Sequence, residues 1–173
     1  MNATYPLPIV GLPPLPPELA ALTGAQPPAE ASPDDIVRQA FRIGQMRLLA
    51  PFTAASELVE MPTVYPLPRM PANLLGLVNL HGRIVPLFDL AEVFETQHLA
   101  REKCMVLVFG HSADAAAIVI DGLPRRLVFK PEHQIITPAL PARTAEAALA
   151  TYVQGSDAWF EFNYASLLEQ LAS

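Results

Sequence analysis

Leu67-Pro68-Arg69-Met70-Pro71-Ala72-Asn73-Leu74-Leu75-Gly76-Leu77-Val78-Asn79-Leu80-His81-Gly82-Arg83-Ile84-Val85-Pro86-Leu87-Phe88-Asp89-Leu90 is the stretch from which the fold is read. Leu75 to Leu80 and Arg83 to Phe88 have the length and composition of strands, and only two residues separate them. His81-Gly82 suits a tight turn, because glycine takes a positive φ freely and histidine tolerates one better than most residues. Downstream, Asp89 and Glu92 have the spacing of a capping box, which predicts a helix over Leu90 to Phe94. Gly76, Asn79 and Gly82 interrupt an otherwise apolar run, and glycine lets another backbone come close. The hairpin from Gly76 to Leu87 is therefore expected to form a partner-binding edge.

The same punctuation extends outward in both directions. Phe41 and Ile43 alternate with Arg42, Gly44-Gln45 supplies a two-residue turn, and Met46 and Leu48 resume the pattern. A third hairpin joins Met105 to Phe109 and Ala115 to Ile120 across the loop Gly110 to Asp114, and its nearly continuous apolar character predicts central strands. Asn163 is a cap candidate for a helix over Ala165 to Leu171. Leu87-Phe88-Asp89-Leu90-Ala91 and Glu161-Phe162-Asn163-Tyr164-Ala165 each pass from strand through cap residue towards helix, which suggests two related halves. Short strands, few helices and this internal echo favour two small barrels over one large sandwich.

Before Asp34 the character differs. Nine of the 19 prolines fall there and no Lys or Arg does, so residues 1–33 read as a largely flexible, extended extension. Pro17-Glu18-Leu19-Ala20-Ala21-Leu22 is the exception and could form a helical turn or two. Residues 34–173 read as the folded domain. The extension, lacking alternating apolar residues, is expected to be dispensable for folding.

Net charge and chemistry exclude several classes of function. A formal charge of −6, with Lys103 and Lys130 as the only lysines, gives no broad positive field for nucleic acid or anionic lipid. No apolar run reaches membrane-spanning length, and the start lacks the pattern of a signal peptide, so a cytoplasmic protein is expected. Cys104, the single cysteine, precedes an apolar strand and reads as a buried thiol. His81, His98, His111 and His133 lack the close spacing of a zinc motif, so neither metal nor cofactor is expected. Gly110-His111-Ser112-Ala113-Asp114 falls short of a nucleophile elbow, because it lacks the second glycine and runs into a strand instead of a helix. A hydrolase centred on Ser112 is thus disfavoured. Tyr65, Tyr152 and Trp159 are candidates for a stacking platform, which would make the chain a ligand- or nucleic-acid-binding barrel.

The quoted stretch resembles the signature of CheW-like domains, an extended proline segment followed by G-x-x-N-x-R-G, an apolar strand, a proline and an Asp-Leu pair. Gly76, Asn79, Gly82, Pro86, Asp89 and Leu90 fall at that spacing. Ala117 to Gly122 resembles the family's strand ending in V-D-G, and Tyr152-Val153-Gln154-Gly155 its later Y-x-x-G segment. The resemblance implies a mainly β fold of two small five-stranded barrels sharing an apolar core, with a few short helices. It also implies a non-catalytic adaptor between a CheA-like histidine kinase and the cytoplasmic tip of methyl-accepting chemoreceptors, working at membrane-associated arrays. The Pro-rich start and the segment Leu149 to Phe162 resemble the PilI type, which serves type IV pilus twitching motility. By the resemblance, partner binding falls to Glu57, Gly76, Asn79, His81, Gly82, Arg83 and Gly155. His81 stands where the family has an arginine, and Glu57 matches the glutamate that pairs with it. The two are expected to lie together and to make a charge-assisted contact when His81 is protonated.

Overall fold

The computed structural model describes residues 32–172, so the helical turns anticipated around Leu19 to Leu22 lie outside the described residues. Twelve strands form two sheets among the described residues. The first contains β1 (Ile36–Ile43), β2 (Met46–Ala50), β9 (Arg125–Phe129), β10 (Gln134–Ile135), β11 (Ala148–Gln154) and β12 (Asp157–Phe162), ordered β10-β11-β12-β2-β1-β9. The second contains β3 (Ala55–Glu60), β4 (Val64–Tyr65), β5 (Leu74–Leu80), β6 (Arg83–Phe88), β7 (Cys104–Phe109) and β8 (Ala116–Asp121), ordered β3-β7-β8-β6-β5-β4. The expectation of two five-stranded barrels holds with one addition: each sheet carries a sixth strand of two residues, β4 or β10, at one edge. Both sheets curl. In the first, Phe129 on edge strand β9 lies 5.1 Å from the Tyr152 ring on β11, and in the second Glu57 on edge strand β3 bonds to Arg83 on β6.

Burial explains why the central strands read as continuous apolar runs. Alternate residues of a strand point to opposite faces, and here both faces are covered. Along β7 and β8, Val106, Val108, Ala117 and Val119 fill the second barrel, while Leu107, Phe109, Ile118 and Ile120 face a core shared between the sheets. On β1 and β2, Ala40 and Leu49 join Phe129, Tyr152 and Trp159 inside the first barrel, while Phe41, Ile43, Leu48 and Ala50 face the shared core. After a short helix α1 (Ala142–Ala145), helix α2 (Tyr164–Ala172) closes that core with Leu167, Leu168 and Leu171. Its Tyr164 stacks on Phe109 at 4.4 Å and donates its hydroxyl to the Leu49 carbonyl at 2.9 Å.

The echo between the halves is structural. Reading the second sheet as β4-β5-β6-β8-β7-β3 places it strand for strand against the first. In each, one hairpin meets the other through a parallel pair: β6 with β8, and β12 with β2. Both carry a register shift, at Leu74/Gly76 and at Ala148/Ala150. The two cap residues are held alike, Asp89 N–H to the Asn73 carbonyl and Asn163 N–H to that of Ala147. They then diverge. Asn163 caps α2, its Oδ1 accepting from Ser166 N–H at 3.1 Å. After Asp89, however, the predicted helix over Leu90 to Phe94 is a single turn. Glu95 enters the left-handed region at φ 53°, and the bonds Thr96 N–H to Ala91 O and Glu95 N–H to Glu92 O complete a Schellman closure. The turn is terminated before it can propagate. Asp89 Oδ1 accepts from Ala91 N–H, so the reciprocal capping box is replaced by a local Asx bond.

Candidate partner-binding site

The β5–β6 hairpin closes through His81 at φ 52° and Gly82 at φ 84°, the positive pair that matches strand twist in a two-residue turn. Asn79 Oδ1 accepts from Gly82 N–H at 2.8 Å and locks the turn from inside. Glu57 reaches this end from β3 and accepts from both sides. Oε1 lies 2.8 Å from His81 Nε2, and Oε2 accepts from Arg83 Nη2 at 2.9 Å. The expected pairing of Glu57 and His81 is therefore present, with Arg83 as a third member. His81 remains 77% exposed while it makes this contact.

An apolar face adjoins the polar trio. Val85 and Leu87 point into the barrel, so the alternate positions of β6 turn outward, and Ile84 is 63% exposed. Its cross-strand neighbour is Asn79. Two residues along, Pro86 pairs with Leu77, which pairs in turn with Tyr65, itself 59% exposed. Ile84 and Tyr65 are exposed members of this face that the sequence reading left out or assigned elsewhere. Period-two alternation in β6 was the signal for Ile84.

The remaining sequence-predicted residues are placed as follows. Gly76 is buried, and the backbone it admits is the chain's own: a Cβ there would lie 2.4 Å from the Tyr65 carbonyl oxygen. Gly155 is in the first sheet, in the β11–β12 turn at φ 65°, whereas the other candidates belong to the second. The stacking platform is not assembled, because Tyr152 and Trp159 lie inside the first barrel and only Tyr65 faces solvent. Ser112 opens a single 3-10 turn, Ser112–Asp114, that leads into β8 as the sequence reading expected.

A second polar cluster joins residues that spacing kept apart. His98 places Nδ1 2.8 Å from Asp121 Oδ1 and Nε2 3.0 Å from Asp89 Oδ1, with its side chain only 4% exposed. Cys104 Sγ points at Asp121 Oδ1 from 3.5 Å. Burial, assisted by the hydrogen bond and charge of Asp121, pushes this thiol up to about 11. Asp121 Oδ2 accepts from Gly44 N–H in the β1–β2 turn, and Thr96 Oγ1 accepts from Gln45 N–H at 3.0 Å. The cluster thus clasps a turn of the first sheet to the second.

Two curled β-sheets on a shared core, one presenting an exposed hairpin with charged and apolar side chains, define a small two-barrel β protein. Residues 39–170 match the profile of the CheW-like domain. The chain belongs to the CheW-like domain family. It is 30% identical to protein FrzA of Myxococcus xanthus over 136 residues, covering 75% of this chain and 82% of that one. It is 29% identical to protein PilI of Pseudomonas aeruginosa over 119 residues, covering 66% of this chain but only 63% of PilI. Among solved structures, the scaffolding protein TtCheW from Thermoanaerobacter tengcongensis superposes with a TM-score of 0.65 at 13% identity, covering 77% of this chain and 92% of that one. This last likeness supports the fold. No helix among the described residues is long and apolar enough to cross a membrane.

Proposed function

We propose that the chain is a non-catalytic cytoplasmic adaptor that couples a CheA-like histidine kinase to methyl-accepting chemoreceptors. Members of the CheW-like family couple such kinases to receptors, and the solved relative TtCheW is described as a scaffolding protein. The observation that carries the reading is the β5–β6 face, where Glu57, His81 and Arg83 form a charged group beside exposed Ile84 and Tyr65. Exposed apolar side chains ringed by polar ones mark interaction surfaces. Asn79 and Gly82 fix the shape of this face by holding the turn, and Gly76 does so by admitting Tyr65 from within. Gly155 is a separate contact on the first sheet. The similarity to PilI supports a twitching-motility output.

The test is reconstitution with the purified kinase and with receptor cytoplasmic fragments. A ternary complex that stimulates kinase autophosphorylation supports the adaptor role. A chain that binds neither component, yet shifts single-stranded DNA at physiological ionic strength, would replace it with the binding-barrel alternative.

A further inference from the structure

We propose that His98, Cys104 and Asp121 form a binding site for a divalent transition metal, with Zn²⁺ chemistry the best match. Their ligand atoms all lie within 4.8 Å of one another. One is an imidazole, one a thiol and one a carboxylate, the donor set that suits Zn²⁺ or Co²⁺ and, through its sulfur, disfavours Mg²⁺ and Ca²⁺. The three come from different segments, yet their placement is fixed: Cys104 and Asp121 are direct cross-strand partners in the β7–β8 ladder, and His98 is anchored opposite them.

The surroundings point the same way independently. Metal-bound histidines characteristically donate their other ring N–H to a carboxylate, which fixes the ring and its tautomer. Here Nε2 faces Asp89 Oδ1 at 3.0 Å while Nδ1 faces the site. Asp121 is oriented in the same manner, Oδ2 accepting from Gly44 N–H and leaving Oδ1 towards His98 and Cys104. Two carboxylates, both mostly buried, face one imidazole, with Arg101 near the thiol, so a divalent cation would relieve their repulsion. An open groove of about 1070 Å³, lined by Asp89, Thr96, His98 and Arg101, adjoins the cluster on the Asp89 side of the imidazole.

Binding exchanges protons for metal. The Cys104 thiol proton and whatever proton His98 Nδ1 carries pass to solvent, while the Nε2 proton stays on the ring and is donated to Asp89. Ligand bonds of about 2.0–2.3 Å need the imidazole and carboxylate to part by roughly half an ångström from their 2.8 Å separation. Because the thiol must ionise, affinity falls as pH falls.

The experiment is Co²⁺ titration of the chelator-treated, tag-free full chain, followed by displacement with Zn²⁺. One equivalent should produce thiolate-to-cobalt charge transfer and the visible bands of a four-coordinate site, with release of protons to the buffer. Cys104→Ser should abolish the charge transfer, and Asp89→Asn should weaken binding about 10- to 100-fold. His111→Gln should leave the titration unchanged. If Cys104→Ser does not fold, the decision passes to the thermal shift induced by Zn²⁺, which His98→Gln should lose. Featureless Co²⁺ spectra, or charge transfer that survives in folded Cys104→Ser, overturn the proposal, as does a Zn²⁺ shift retained by His98→Gln.

Discussion

Glu57 is the hinge of the recognition surface at the scale of single residues, because its two oxygens meet two different basic side chains. Arginine at position 81 would offer a permanent charge and a planar fork, whereas histidine offers one ring nitrogen and is only partly charged near neutral pH. His81→Arg is therefore expected to preserve the fold and tighten kinase binding, since an exposed pair of this kind contributes no more than about 1 kcal/mol to folding. Calorimetric titration beside a melting curve checks both halves of that statement. Inside the molecule the balance differs. Burial holds the Tyr164 hydroxyl well above its usual range, with Glu161 adding to the effect. A raised folded-state value means that this contribution is complete below the unfolded value near 10 and is lost as pH climbs through the folded one. Stability should fall in alkali. Tyr164→Phe removes the hydroxyl's hydrogen bond to the Leu49 carbonyl, which should lower stability by about 0.5–1.5 kcal/mol, and urea midpoints at alkaline pH should then decline less steeply than in wild type.

Among the elements, turns carry the sharpest expectations. Gly44 and Gly82 both hold positive φ, yet their surroundings differ: a Cβ on Gly44 would lie 2.2 Å from Thr96 Oγ1 and 2.3 Å from the Gln97 carbonyl oxygen, while one on Gly82 meets nothing within 4 Å. Gly82→Ala should thus cost only the left-handed penalty of about 1–2 kcal/mol, and Gly44→Ala distinctly more, since it also forces open the clasp to Asp121. Chemical denaturation of the two variants ranks them, and equal losses would contradict the packing argument. The hairpins were legible in the sequence because glycine turns and period-two alternation are local signals. Helix α2 was legible for the same reason, through Asn163. What could not be read were contacts made by long-range closure. Nothing local says that Glu161, buried in the first barrel, meets Arg38 at 2.8 Å, or that His98 meets Asp121. The helix after Asp89 was misread because a cap signal gives a start and not a length, and Glu95 supplied the unexpected stop. The Glu57–His81 contact came through the family resemblance; spacing alone would not have joined β3 to the β5–β6 turn.

Across the whole molecule, the shared core makes the two barrels one cooperative unit. Phe109 belongs to β7 of the second sheet but packs against Phe41 of the first and Tyr164 of α2. Phe109→Ala should cost about 3–5 kcal/mol and lower both barrels together. Trp159 fluorescence reports the first barrel and Cys104 thiol exposure the second, so coincident unfolding curves are expected and separated ones would deny a common core. The central claim remains that the outer face of β5 and β6 recognises the kinase. Ile84→Asp tests it most directly, because the side chain makes no part of the core and its replacement places a charge in the middle of the proposed contact. Titration calorimetry with the kinase's CheW-like domain should show affinity falling at least about tenfold, or about 1.4 kcal/mol, with the melting temperature unchanged. Wild-type affinity in the folded variant would contradict the account.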